Sequence, residues 1–154
     1  TVSFGVKYGW TARPSAMKLR IHHTIGNVNY NKHSGPITTG SDEAVVQVCI
    51  VNWGSQHRVS SGKKTPTGVW SPENGINAVS EGKIIGYGVV YPTGTTPGNS
   101  MVELEIPIYY YDTGTKPGAE NFTLVISAAT SRYGDYMNGC SESKMYVADF
   151  QWVY

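Results

Sequence analysis

The 154-residue sequence has little charge, no helical spacing of apolar residues and no long apolar run. Charged residues make up 15% of the chain, and 12 Lys and Arg nearly balance 11 Asp and Glu. Nucleic acid and anionic membranes both require a basic surface, so we expect neither as a partner. No stretch of about 18 apolar residues is present, so we expect no membrane insertion by this domain.

Cysteine is also scarce, with Cys49 inside an apolar run and Cys140 in a glycine-containing segment near the end. Spacing alone cannot establish a disulfide between them, and a small buried residue plus an unrelated loop thiol is the simpler interpretation. The compartment therefore does not follow from cysteine usage. The chain begins with Thr1 and shows no signal peptide, which favours a processed chain or a fragment of a longer one, with its targeting segment upstream.

Alternation of apolar and polar residues is the pattern that is present, and it predicts β-strands. Loops rich in Gly, Pro and Thr separate these segments, as is typical of antiparallel sheets. Six or seven strands without a helix predict one all-β domain over residues 1–154, an antiparallel β-sandwich or jelly roll. The main predicted strands are MKLRIH, EAVVQVCIVNW, KIIGYGVVY, MVELEIPIYYY, NFTLVISAAT and SKMYVADFQWVY.

The last predicted strand is dense in apolar residues and runs to the end of the sequence. Met145 and Val147 fall on one register of this strand, whereas Phe150 and Trp152 fall on the other. Asp149 interrupts the run, and a β-bulge there would turn both pairs toward one core face. We expect this strand to lie in the middle of a sheet, paired on both sides.

The same C-terminal region resembles a known family. The segment SAATSRYGDYMNGCSESKMYVADFQWVY is similar to the C-terminal signature of the putative carbohydrate metabolism domain of Bacteroidetes surface proteins. Two further stretches agree, the Arg13-Pro14 entry segment and the apolar-Tyr-Gly strand IIGYGVVY. Ala148 stands where the family often has Asp, and two more strands usually precede the Arg-Pro segment. The matching C-terminal positions are Ser131, Tyr133, Gly134, Asp135, Tyr136, Gly139, Ser143, Tyr146, Val147, Asp149 and Tyr154.

This resemblance implies a galactose-binding-like jelly roll at the cell surface. It implies attachment to the outer membrane through an upstream segment, as in an outer membrane lipoprotein. The role it implies is glycan recognition or adhesion, with a polysaccharide or oligosaccharide as partner.

Aromatic side chains are the natural contacts for such a partner, because their rings stack on the apolar faces of sugars. The chain has 4 Trp and 11 Tyr, more than one small core can absorb. We place the ligand site at the loop end that holds residues 54–82, with Trp53 and Trp70 as the main contacts. Tyr109 and Tyr111, on the outward register of their strand, are further candidates. In the alternative interpretation Trp53 packs under the long loop and the tyrosines cap a sheet edge.

Several polar side chains allow more than one role. Arg13 could contact the ligand or donate to backbone carbonyls at a strand entry. Lys18, Arg20 and His22 share one face of a strand and could bind sugar hydroxyls, although a solvated sheet face is the preferred interpretation.

Two carboxylates are what a glycoside hydrolase requires, and Glu103 and Glu105 share one face of a strand. Such neighbours usually mark the wet side of a sheet, and no apolar pocket is indicated around them. Asp149 could join loop oxygens from residues 131–143 in a structural calcium site, but too few ligands are indicated and a bond within the bulge is preferred. We expect no cofactor.

The sequence therefore favours a non-catalytic, cell-surface carbohydrate-binding module. A structural or protein-interaction surface domain is the first alternative, and a glycoside hydrolase is the second.

Overall fold

The computed structural model describes residues 2–33, 35–53, 57–59 and 83–154. Trp70, and with it most of the predicted long loop, lies outside the described residues. The described part contains β-strands and one short 3-10 helix, Gly134–Tyr136, but no α-helix. The strands are β1 (Val2–Phe4), β2 (Val6–Lys7), β3 (Ala16–Thr24), β4 (Tyr30–Asn31), β5 (Val45–Asn52), β6 (His57–Val59), β7 (Lys83–Val90), β8 (Val102–Pro107), β9 (Tyr109–Tyr110), β10 (Thr123–Ala129), β11 (Asn138–Gly139) and β12 (Lys144–Val153).

The strands form two main antiparallel sheets. The larger has five strands in the order β2-β10-β5-β7-β9, and the smaller has three in the order β12-β3-β8. Two short pairs, β1 with β6 and β4 with β11, complete the described pairing. The predicted all-β antiparallel sandwich is confirmed.

The main core lies between the two sheets. Met17, Leu19 and Ile21 alternate along β3 and are buried against Val46 and Ile50 of β5. Each such aliphatic side chain contributes about 1.5–3 kcal/mol when fully buried, so these residues stabilise the packing of the two sheets.

The outer face of the five-stranded sheet is apolar as well. Cys49, Val51, Tyr87 and Val125 form a second buried cluster there, and Trp53 packs against it. Because both faces of β5 are covered, its residues Val45 to Val51 are all buried, and all of them except Gln47 are apolar.

The chain crosses from the small sheet to the large one between β8 and β9. Gly88 of β7 faces this crossing, and a Cβ atom there would overlap the carbonyl oxygen of Pro107. A Cβ atom at Gly86 would lie 3.0 Å from the Tyr110 ring. The Gly-Tyr-Gly sequence of β7 is therefore required for the close approach of the β8–β9 corner.

The C-terminal strand contains the predicted bulge. Ala148 pairs with Arg20 and Gln151 with Lys18, so Asp149 and Phe150 together oppose a single residue of β3. Asp149 adopts a left-handed backbone conformation with φ of 57°.

The bulge brings Trp152 to the core face on which Met145 and Val147 also lie. Phe150 does not follow them and remains 42% exposed. The expectation that this strand lies in mid-sheet is wrong, because β8 takes the other side of β3 and leaves β12 at the sheet edge. A bulge is a common protection for such an edge.

A buried carboxylate organises the loop that precedes β12. Asp42 is 1% exposed and accepts hydrogen bonds from the Ser131 hydroxyl (2.6 Å) and from the N–H groups of Cys140 (2.9 Å) and Glu43 (2.8 Å). Gly139 lies beside this group, and a Cβ atom there would be 2.7 Å from the Asp42 Oδ2. Close packing thus explains the glycine at position 139.

The two cysteines are free and buried, on β5 and beside β11. Burial raises the pKa of the Cys49 thiol well above its ordinary value. In a Cys140→Ser variant we therefore expect the native protein to resist modification by DTNB at pH 8, because the reactive thiolate is not formed. The same variant in urea should react stoichiometrically. Rapid labelling of the native protein would contradict the buried position of Cys49.

Candidate functional site

Two neighbouring tyrosines form the most exposed aromatic pair that the structure describes. Tyr109 is 67% exposed and Tyr111 is 53% exposed. Their ring centroids are 5.0 Å apart and their planes meet at 75°, an edge-to-face contact. Large aromatic side chains are mostly buried on average, so two exposed neighbours are informative.

Main-chain pairing fixes where this pair lies. Tyr109 is opposite Tyr87 in the β9–β7 ladder, and the Tyr111 N–H donates to the Ile85 carbonyl over 2.9 Å. The pair thus lies on the outer face of the five-stranded sheet, at its edge strand β9.

Tyr110 anchors the pair from the opposite side of the strand. It packs against the core, and its hydroxyl donates to the Pro14 carbonyl over 2.6 Å. Burial raises the pKa of Tyr110 to about 12, with the Arg13 guanidinium acting in the opposite direction. The phenol is therefore neutral at ordinary pH and remains available as a donor.

The loop after the pair is also ordered by local bonds. The Asp112 carboxylate accepts from the N–H groups of Gly114 (2.7 Å) and Thr115 (3.1 Å) and from the Thr115 hydroxyl (2.6 Å). This is the Asx-turn chemistry expected of an Asp at the start of a tight turn.

Trp53 shares the outer face of the large sheet with the tyrosine pair. It is partly buried and packs against the cluster that includes Val51 and Tyr87. One strand, β7, separates β5 from β9, and Trp53 follows the end of β5, so it lies two strands away from the tyrosines and farther along the sheet. The structure thus brings three of the predicted ligand contacts to one face, while Trp70 lies outside the described residues.

Arg13 is not part of this group. Its Nη2 donates to the Thr115 carbonyl over 2.7 Å, and its guanidinium lies 5.0 Å from the centroid of the Tyr110 ring. Successive side chains of a strand point to opposite faces, so Arg13 contacts the side turned away from the Tyr109 and Tyr111 rings. Of the two roles left open by the sequence, this geometry fits the structural one, in which Arg13 donates to a backbone carbonyl.

The outer face of the small sheet carries a network of charges. Lys18 lies 3.1 Å from Glu103 and 3.7 Å from Glu105, and Arg20 lies 3.1 Å from Asp149. The hydrogen bond to Glu103 raises the pKa of Lys18. A concavity among these residues has a volume of about 110 Å³. The two glutamates, at least half exposed, share one lysine instead of facing each other across a cleft.

Asp149, which the sequence offered as a calcium ligand, also lies on this face. Its carboxylate, in the bulge, accepts a hydrogen bond from the Arg20 guanidinium. Within the part of the chain that the structure describes, no three His, Cys, Asp or Glu side chains are grouped so as to hold a metal ion.

A larger pocket, which the sequence did not predict, lies where Tyr30 meets residues 131–141. It has a volume of about 410 Å³ and is mostly apolar. Its rim includes Tyr30, 50% exposed, and Met137, 49% exposed and in a left-handed conformation. These residues meet through the β4–β11 pair, a contact across about 100 residues that no local pattern reveals.

No family model and no curated protein matches the sequence. Two solved structures share the fold. One, from Bacteroides thetaiotaomicron, is described as a putative glycoside hydrolase and matches with a TM-score of 0.65 at 14% identity. The other, from Bacteroides vulgatus, carries the same description and matches with a TM-score of 0.61 at 14% identity.

These matches cover 99% and 98% of this chain but 41% and 55% of the other chains. The chain therefore spans about half the length of those proteins. At this identity the likeness establishes the fold alone. In the described residues, no helix has the length and apolar character needed to span a bilayer.

Proposed function

We propose that this chain is a non-catalytic carbohydrate-binding module, with Tyr109 and Tyr111 as its main ligand contacts and Trp53 at the border of the site. The observation that carries the proposal is the exposed tyrosine pair, held in place by the partly buried Tyr110 and by the hydrogen-bonded turn at Asp112. Exposed aromatic rings on a rigid support suit the apolar faces of sugars, and a firm support limits the entropy lost on binding.

The comparisons give this proposal independent support. Two solved structures with this fold are described as putative glycoside hydrolases, and this chain aligns with 41% and 55% of them. Their description supports a carbohydrate-related function for this chain. Location at the cell surface, with attachment to the outer membrane through an upstream segment, belongs to the same proposal.

A glycoside hydrolase is the less favoured alternative. Its two carboxylates must flank the scissile bond, one as acid and the other as base or nucleophile. Glu103 and Glu105 instead lie side by side on an open sheet face and both contact Lys18. If the native protein hydrolyses a polysaccharide and the Glu103→Gln and Glu105→Gln variants do not, this alternative would be favoured instead.

The test is a screen of the chain against soluble polysaccharides and oligosaccharides, followed by tyrosine variants. Stacking on one ring contributes on the order of 1 kcal/mol, so Tyr109→Ala and Tyr111→Ala should each weaken binding about fivefold. Tyr146→Ala is the matched control, because Tyr146 is 59% exposed but lies on the small sheet. Affinity electrophoresis measures the binding, and thermal melting checks that the variants fold alike.

Two results would contradict the proposed site or function. If Tyr30→Ala weakens binding while the Tyr109 and Tyr111 variants do not, the ligand binds in the apolar pocket instead. If no glycan binds, the chain is better explained as a structural or protein-interaction domain.

A further inference from the structure

The angle between the two exposed tyrosine rings restricts the shape of the glycan they can contact. Their planes meet at 75°, so the two rings cannot lie flat on one planar surface at the same time. The surface of a crystalline polysaccharide is such a plane, because its chains are packed side by side with their sugar faces aligned. A sugar stacks well only when its face is parallel to the aromatic ring, so the pair offers such a surface one stacking ring and not two.

The arrangement instead forms a corner. A sugar that stacks on one of the rings meets the edge or hydroxyl of the other, which can contact the side of the same sugar. We infer that the pair selects single, soluble glycan chains and does not bind the surfaces of crystalline polysaccharides. This inference rests on the proposed function and adds the physical form of the ligand.

Local structure maintains the corner. Residues two apart on a strand are separated by about 7 Å along it, so rings whose centroids are 5.0 Å apart lean toward each other. Edge-to-face contact is a preferred geometry of aromatic pairs, and a coplanar arrangement would give it up. The N–H groups of Tyr111 and Asp112 both donate to the Ile85 carbonyl, which fixes the backbone that carries the Tyr111 ring.

Trp53 does not extend the corner into a plane. It is partly buried against Val51 and Tyr87, so it borders the site as part of the packed sheet face. Among the residues that the structure describes, the two tyrosines are the exposed aromatic side chains of this face.

The experiment compares soluble and crystalline forms of the same sugars. The probes are cello-oligosaccharides and chitin oligosaccharides against microcrystalline cellulose and crystalline chitin, with a panel of soluble polysaccharides beside them. We expect the chain to bind at least one soluble glycan and to remain in the supernatant when mixed with either crystalline solid. Tyr109→Ala and Tyr111→Ala should each weaken the soluble binding about fivefold, whereas Tyr146→Ala should not.

Each other outcome overturns a defined part of the account. Retention on either crystalline solid overturns the inference, and loss of that retention in Tyr109→Ala would leave the proposed function standing. Soluble binding that neither tyrosine variant weakens also overturns the inference, since the pair would not then be the selecting site. Binding to no glycan in any form removes both the proposed function and the inference.

Discussion

Replacing Trp152 with alanine is expected to lower the free energy of unfolding by about 3 kcal/mol, near the lower end of the range for large aromatic residues in cores. The ring packs against the main core and meets the Tyr8 ring edge to face, with centroids 5.7 Å apart. The backbone of residue 152 pairs with Met17, so the strand cannot shift to fill the cavity that alanine would leave. Urea denaturation followed by far-UV circular dichroism measures the loss without depending on tryptophan fluorescence.

Phe150→Ala is the matched control on the same strand. Phe150 is 42% exposed and lies in the bulge, so its replacement should cost less than about 1 kcal/mol. Equal losses in the free energy of unfolding would mean that the bulge does not place Trp152 in the core while leaving Phe150 exposed.

Replacing Asp42 with alanine is the second large effect, with an expected loss of about 3–4 kcal/mol. The carboxylate is buried and accepts three hydrogen bonds, from the Ser131 hydroxyl and from the N–H groups of Cys140 and Glu43. Without the carboxylate, these three donors lose their acceptor in a buried part of the protein, and each unsatisfied group costs about 1–3 kcal/mol. The separate losses are not additive, which keeps the total below their sum.

The Ser131→Ala variant distinguishes the loss of the Asp42 acceptor from the loss of one of its donors. It removes one of the three bonds and leaves Asp42 with its two backbone partners, so we expect a loss of about 1 kcal/mol. The free energies of unfolding come from the same urea titration. If Asp42→Ala is no more costly than Ser131→Ala, the carboxylate does not organise this loop.

The fold class could be predicted because it depends on local alternation. The β3 residues that alternate in sequence also alternate between core and surface, and Asp149 within an apolar run correctly indicated the bulge. The edge position of β12 could not be predicted. Strand order depends on which distant strands pair with β3, and the pairing of β8 with β3 joins residues about 85 apart in the chain.

The candidate site was predictable to a similar degree. The outward register of Tyr109 and Tyr111 follows from period two, and the structure places both rings on the surface. The role of Arg13 could not be decided, because it depends on the Thr115 carbonyl, which lies far along the sequence. The pocket at Tyr30 and Met137 was missed for the same reason, since its walls meet only in the folded chain.

The most direct test of the account is an NMR titration of the chain with the best-binding soluble oligosaccharide. We predict that chemical-shift changes concentrate on the backbone amides of residues 109–112 and on the Trp53 indole. The Tyr30–Met137 pocket and the charged face of the small sheet serve as internal references and should change little. Changes centred on either reference region, or no changes with any glycan of the panel, would contradict the claim that the tyrosine pair is a carbohydrate-binding site.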